Sequence, residues 1–228
     1  MAIDLSTLPK EKQRYDICLD SVKTDGEQLA YVSEAYQTFE MCLAAVEQTG
    51  WALKYVKDQT PELCFAAVKQ NGWVLEYVKH QTPELCLVAV EQNGMMLRYV
   101  KVQTPEICLA AVKQVGWALQ YVKDQTREIC LAAVKQDGKS LVYVKDKTSE
   151  ICLEVVKQHG LALRYIPKRK QTLPVVIAAL KQDPYSRRYL AAKFRTPEVY
   201  EAAGYDYKPE DLAPSQGGKK RKRTEPEH

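Results

Sequence analysis

Over residues 39–165 the apolar positions form a phrase that returns every 22 residues. In one copy Leu63, Cys64, Ala67 and Val68 make a stripe, and Leu75, Tyr77 and Val78 follow after a glycine. The stripe has the period of an amphipathic helix, so the phrase predicts a helix, a turn and a second, shorter helix. Thr60 supplies an N-cap acceptor, Pro61 suits the first helical position, and Glu62 puts negative charge at the positive end of the helix dipole. Gly72 is the expected stop, a C′ residue free to take φ > 0. The second segment, residues 73–79, is expected to bury Leu75 and Val78 and ends on a dipole-compatible lysine.

The period is carried by Cys42, Cys64, Cys86, Cys108, Cys130 and Cys152, by Gly50, Gly72, Gly94, Gly116, Gly138 and Gly160, and by Tyr55, Tyr77, Tyr99, Tyr121, Tyr143 and Tyr165. An earlier copy (Cys18, Gly26, Tyr31) precedes them with a two-residue insertion. A degenerate copy follows, with Val176, Pro184 and Tyr189 at the Cys, Gly and Tyr positions, and Thr196-Pro197-Glu198 could open a ninth. One such unit cannot enclose its own apolar face, whereas stacked units share a continuous core. The predicted fold is all-α, an α-solenoid of about eight 22-residue helix-turn-helix repeats with a flexible basic C-terminal tail. At roughly 8–10 Å per helix layer it would extend some 70–80 Å. The expected boundaries are a lead-in at 1–13, the solenoid at 14–195 with a degenerate basic cap at 171–195, and a tail at 196–228 carrying a basic run at 219–223. Gly116→Val is expected to destabilise, on the premise of a left-handed turn.

The unit Ile107-Cys108-Leu109-Ala110-Ala111-Val112-Lys113-Gln114-Val115-Gly116-Trp117-Ala118-Leu119-Gln120-Tyr121 resembles the repeats called DUF4116, over roughly residues 14–190. It differs from their pattern in its Thr-Pro-Glu start and its cysteine. The resemblance implies a helical repeat fold and an origin among bacteria, including intracellular pathogens, or large DNA viruses. The family has no assigned reaction, so the resemblance implies no catalytic residues.

Composition adds exclusions. At 46% hydrophobic and 27% charged, the 228-residue chain has the make-up of a folded protein rather than a disordered one. No apolar run is long enough to span a membrane, and the first residues lack a signal-peptide core, so neither membrane integration nor secretion is expected. Equivalent cysteines one layer apart are too distant for disulfides and lack zinc spacing. They are expected to be small core residues in a reducing compartment. His80, His159 and His228 have no recurring carboxylate or nucleophile beside them, so no enzyme, cofactor or metal site is expected.

Periodicity turns single residues into rows. Lys57, Lys79, Lys101, Lys123 and Lys145 recur after the second helix, as terminal charges or as a stripe for an acidic partner. Gln48, Gln70, Gln92, Gln114, Gln136 and Gln158 suit inter-repeat hydrogen bonds to loop backbone. After the glycine stand Trp51, Trp73, Met95 and Trp117, then Lys139 and Leu161, a variable and partly open position suited either to packing or to a protein partner. Charge is uneven: residues 1–160 carry a net −3, whereas 161–195 carry nine basic groups and one acidic. That patch comprises Arg164, Lys168, Arg169, Lys170, Lys181, Arg187, Arg188, Lys193 and Arg195, interleaved with Tyr185, Tyr189 and Phe194. It suits nucleic acid or another acidic partner, although Tyr189 is expected in the core. In the tail, Lys219, Lys220, Arg221, Lys222 and Arg223 resemble a nuclear localisation signal or form an electrostatic tether. Three functions follow as expectations: a non-catalytic protein-interaction scaffold, a structural component of an assembly such as a viral particle, and a nuclear or nucleic-acid-associated protein.

Overall fold

The computed structural model describes residues 3–205, and they are helical without strands. Eight α-helices of ten residues each keep the repeat: α1 (Tyr15–Thr24), α2 (Phe39–Gln48), α3 (Pro61–Gln70), α4 (Pro83–Gln92), α5 (Pro105–Gln114), α6 (Arg127–Gln136), α7 (Ser149–Gln158) and α8 (Leu173–Gln182). A shorter α9 (Pro197–Ala202) lies within the segment assigned above to the tail, and Val199 and Tyr200 of it are buried. The chain divides into two compact units at Val144 and Lys145, α1–α6 in the first and α7–α9 in the second.

Each helix begins as its sequence dictates. Thr38, Thr60, Thr82, Thr104, Thr126 and Thr148 accept the amide three residues on through their hydroxyls. The first helix and the last two depart: Arg14 before α1, Thr172 before α8 and Thr196 before α9 make no such bond. The stripe residues Leu63, Cys64, Ala67 and Val68 are buried, as are Leu75 and Val78.

The turn differs from expectation in two ways. The second segment is a 3-10 helix that starts at the glycine itself, as in Gly72–Tyr77. The glycine is not left-handed either: among the described residues the single positive φ is at Gly204. Asn71 ends α3 in an extended conformation (φ −151°, ψ 110°), and its side chain then accepts the Trp73 amide, capping the 3-10 helix. Asn93, Asp137 and Asp183 do the same in their repeats. Glycine is needed because the next repeat packs against it. A Cβ on Gly94 would lie 2.3 Å from the Ala111 carbonyl oxygen, and one on Gly116 would lie 2.6 Å from that of Ala133. Pro184 replaces glycine where the following helix is only α9.

Two glutamine rows tie each repeat to its neighbour. Gln92 Oε1 accepts the Gly72 amide at 2.8 Å while its Nε2 donates to the Val68 and Lys69 carbonyls. Gln48, Gln70, Gln114 and Gln136 repeat this clasp in the first unit, and Gln182 repeats it on Gly160 in the second. A second row was not anticipated. Gln81 lies five residues before its cysteine, donates to the Leu75 and Tyr99 carbonyls, and accepts the Lys101 amide at 2.9 Å. Gln13, Gln37, Gln59, Gln103 and Gln125 share the position in the first unit, and Gln171 in the second.

Candidate partner-binding ridge

The cysteine row belongs to the core. Burial pushes the thiols of Cys18, Cys42, Cys64, Cys86, Cys108 and Cys152 above their ordinary range. The Cys86 and Cys108 sulfurs each lie 3.7 Å from the Oε1 of Gln81 and Gln103. A shallow cleft of about 330 Å³ is lined by Gln59, Pro61, Cys64, Phe65, His80, Thr82 and Leu85. It brings a cysteine near a histidine. A thiol pushed up by burial and held by Gln59 is nevertheless a poor thiolate nucleophile at neutral pH.

The lysine row also has intramolecular work. Lys79 Nζ donates to the Lys57 carbonyl at 2.6 Å, Lys101 to those of Val78 and Lys79, and Lys123 to that of Lys101. Lys57 instead pairs with Glu34 at 2.6 Å. These ammonium groups cap the carbonyl end of the preceding repeat's 3-10 helix, where the dipole favours positive charge. Lys145 stands at the start of the second unit.

The residue after each glycine behaves differently. Trp73 and Trp117 are 40% and 41% exposed, Trp51 and Met95 are half-buried, and Lys139 is exposed. Each tryptophan leans edge-to-face on the tyrosine of the next repeat with centroids 6.0 Å apart: Trp51 on Tyr77, Trp73 on Tyr99, and Trp117 on Tyr143. Trp117 also donates to Asp137 at 2.6 Å. Packing and exposure thus coexist at one position. The repeat tyrosines form part of the same surface, for Tyr77 is 38% exposed. Basic side chains lie over them: Lys54 over Tyr55 at 4.6 Å, and Arg98 between Tyr99 and Tyr121. The result on the first unit is a ridge of interlocked aromatic side chains carried on consecutive 3-10 helices.

In the second unit the predicted basic patch falls into distinct places. Arg164 stacks on Tyr165 at 4.4 Å, while Arg187 and Arg188 lie 5.8 and 5.6 Å from the Tyr185 ring. Lys168 donates to the Tyr189 and Leu190 carbonyls, and burial together with nearby Arg195 holds its ammonium below the usual range. Lys170 pairs with Asp146 at 3.0 Å, and Lys193 lies 4.8 Å from the Phe194 ring. Arg169 and Lys181 are exposed. Tyr189 is half-buried rather than in the core. The run Lys219, Lys220, Arg221, Lys222 and Arg223 lies outside the described residues.

Among the described residues no helix is long and apolar enough to cross a membrane. A comparison with curated proteins finds no significant match, and neither does one with solved structures. The model of one family, described as a domain of unknown function (DUF4116), matches residues 40–81, 60–103, 104–147 and 148–195. These matches cover more than half of the chain and follow the helix and 3-10 helix units traced above, so this protein belongs to the DUF4116 family of helical repeats.

Proposed function

We propose that this chain is a non-catalytic interaction scaffold whose first unit presents the ridge of Trp51, Trp73, Met95 and Trp117 to a protein partner. The observation that carries this reading is the half-exposure of large side chains at one register in four consecutive repeats. Each tryptophan is held by the next repeat's tyrosine. Rigid, partly buried Trp and Met side chains are good anchors because little conformational freedom is lost when a partner covers them. The other periodic rows hold the repeats together. The glutamines and lysines bond backbone, and the cysteines fill the core. The seven thiols, free and buried, suit a reducing compartment.

A photo-crosslinking residue at Met95, on the ridge, and another at Glu84, at the start of α4, test the reading in cells of the source. A discrete adduct at position 95, absent at position 84 and lost with Trp73→Ala, is the expected result. Identical adducts at both positions would remove the ridge from consideration. An adduct formed with a second copy of the chain or a particle subunit would turn the scaffold into a structural component of an assembly.

A further inference from the structure

The ridge register continues into the second unit, where its chemistry changes. The residue four beyond the glycine is Ala30, Lys54, Glu76, Arg98, Gln120 and Val142 in the first unit, a mixed set. In the second unit it is Arg164 and Arg188. Tyr185 stands at the Trp/Met position and is 60% exposed, the most exposed aromatic side chain among the described residues. Arg187 occupies the place of the buried Leu163, so a cation has been accepted where the repeat normally buries an apolar side chain. The charges also alternate with rings. Arg164 lies on the Tyr165 ring, bonds its hydroxyl and interacts with the hydroxyl of Tyr189 in the following repeat. Arg187 and Arg188 both lie close to the Tyr185 ring centre, at 5.8 and 5.6 Å. Asp183, the one acidic residue of 161–195, is turned to the backbone and accepts the Tyr185 amide at 2.8 Å. A terminal repeat needs a polar outer face, but mixed charges would provide one without displacing a core leucine.

We propose that the 3-10 helices Gly160–Tyr165 and Pro184–Tyr189 form a binding site for single-stranded nucleic acid. A base stacks on Tyr185, and Arg164, Arg187 and Arg188 hold the adjacent phosphates. Guanidinium groups suit phosphate oxygens, and an exposed ring accepts any base face. An acidic peptide would satisfy the arginines but carries no ring on each charged unit to stack on Tyr185, and a duplex hides its base faces. The inference concerns a different surface from the Trp/Met ridge, so either can fail alone.

The test measures fluorescence anisotropy of a short labelled oligouridylate, and of an abasic strand of equal length and charge, binding to the full chain. The base-bearing strand is expected to bind about 10-fold tighter than the abasic one. Tyr185→Ala should erase that difference while leaving the abasic affinity unchanged, and Tyr185→Phe should keep it. Arg164→Gln combined with Arg188→Gln should weaken both strands and flatten the salt dependence by about 1.4 in the log–log slope. Equal affinity of the unaltered chain for the two strands would overturn the proposal, whatever the variants do. So would binding of polyglutamate or of phosphatidylserine vesicles that depends on Tyr185 as strongly as binding of the oligonucleotide does.

Discussion

At the scale of single residues, the turn glycines show how one conserved-looking letter can have a cause different from the usual one. A left-handed stop would tolerate asparagine. A glycine that admits a neighbour's backbone tolerates no side chain at all. The contacts grade the expected cost. A Cβ on Gly94 would meet the rigid Ala111 carbonyl at 2.3 Å, whereas one on Gly72 would meet that of Ala89 at 3.2 Å. In urea denaturation Gly94→Ala should therefore lose about 1–3 kcal/mol, the range for overpacking, and Gly72→Ala clearly less. Gly116→Asn should destabilise as Gly116→Val does, because the obstruction at 2.6 Å is the Ala133 carbonyl. Full stability of Gly116→Asn would restore the left-handed account.

At the scale of the element, each repeat is a short α-helix and a shorter 3-10 helix, neither able to persist alone. The pair is completed from outside by glutamine clasps and by thiols packed between layers. Because burial pushes six thiols above their ordinary range, the folded state favours the protonated form more than the unfolded chain does. That contribution is fully present below the ordinary thiol value and is lost as pH rises through the raised native value. Stability should therefore fall on the alkaline side, and replacing Cys64, Cys86 and Cys108 by alanine should make that fall shallower. A bulky thiol reagent should modify the native protein slowly and the denatured protein fast. Rapid labelling of the native thiols would contradict the burial of this row.

At the scale of the molecule, every rung described joins a repeat only to its neighbour, as with Gln81 reaching Leu75 and Tyr99. A chain of this kind has a stability close to a sum of repeat and interface contributions. Deleting residues 82–103, one full period within the first unit, lets Gln81 take the place of Gln103 before Thr104. The shortened protein should keep its helix content per residue and melt somewhat lower. Deleting residues 82–92 instead, which removes α4 but keeps its 3-10 helix Gly94–Tyr99, should lower the melting point far more, because that 3-10 helix loses the α-helix of its own repeat. Circular dichroism melts of the two proteins decide the matter, and equal behaviour would refute the nearest-neighbour picture.

The amino-acid sequence by itself determined the 22-residue period, the threonine starts of the helices and the burial of Cys64 beside Leu63, Ala67 and Val68. Those features are decided within a turn or two of chain, by caps and by an apolar stripe. The row of Gln37, Gln59 and Gln81 was equally periodic, but a glutamine before a cap looks like a surface residue until its partners are seen. Only the tertiary structure decided what the glycines are for, because the Ala111 carbonyl that crowds Gly94 belongs to the next repeat. It also decided that the tyrosines stand half-open beside the tryptophans, and that Arg164, Arg187 and Arg188 gather around Tyr165, Tyr185 and Tyr189. Exposure and contact between repeats depend on how closely two backbones approach, a distance that no local pattern of residues encodes.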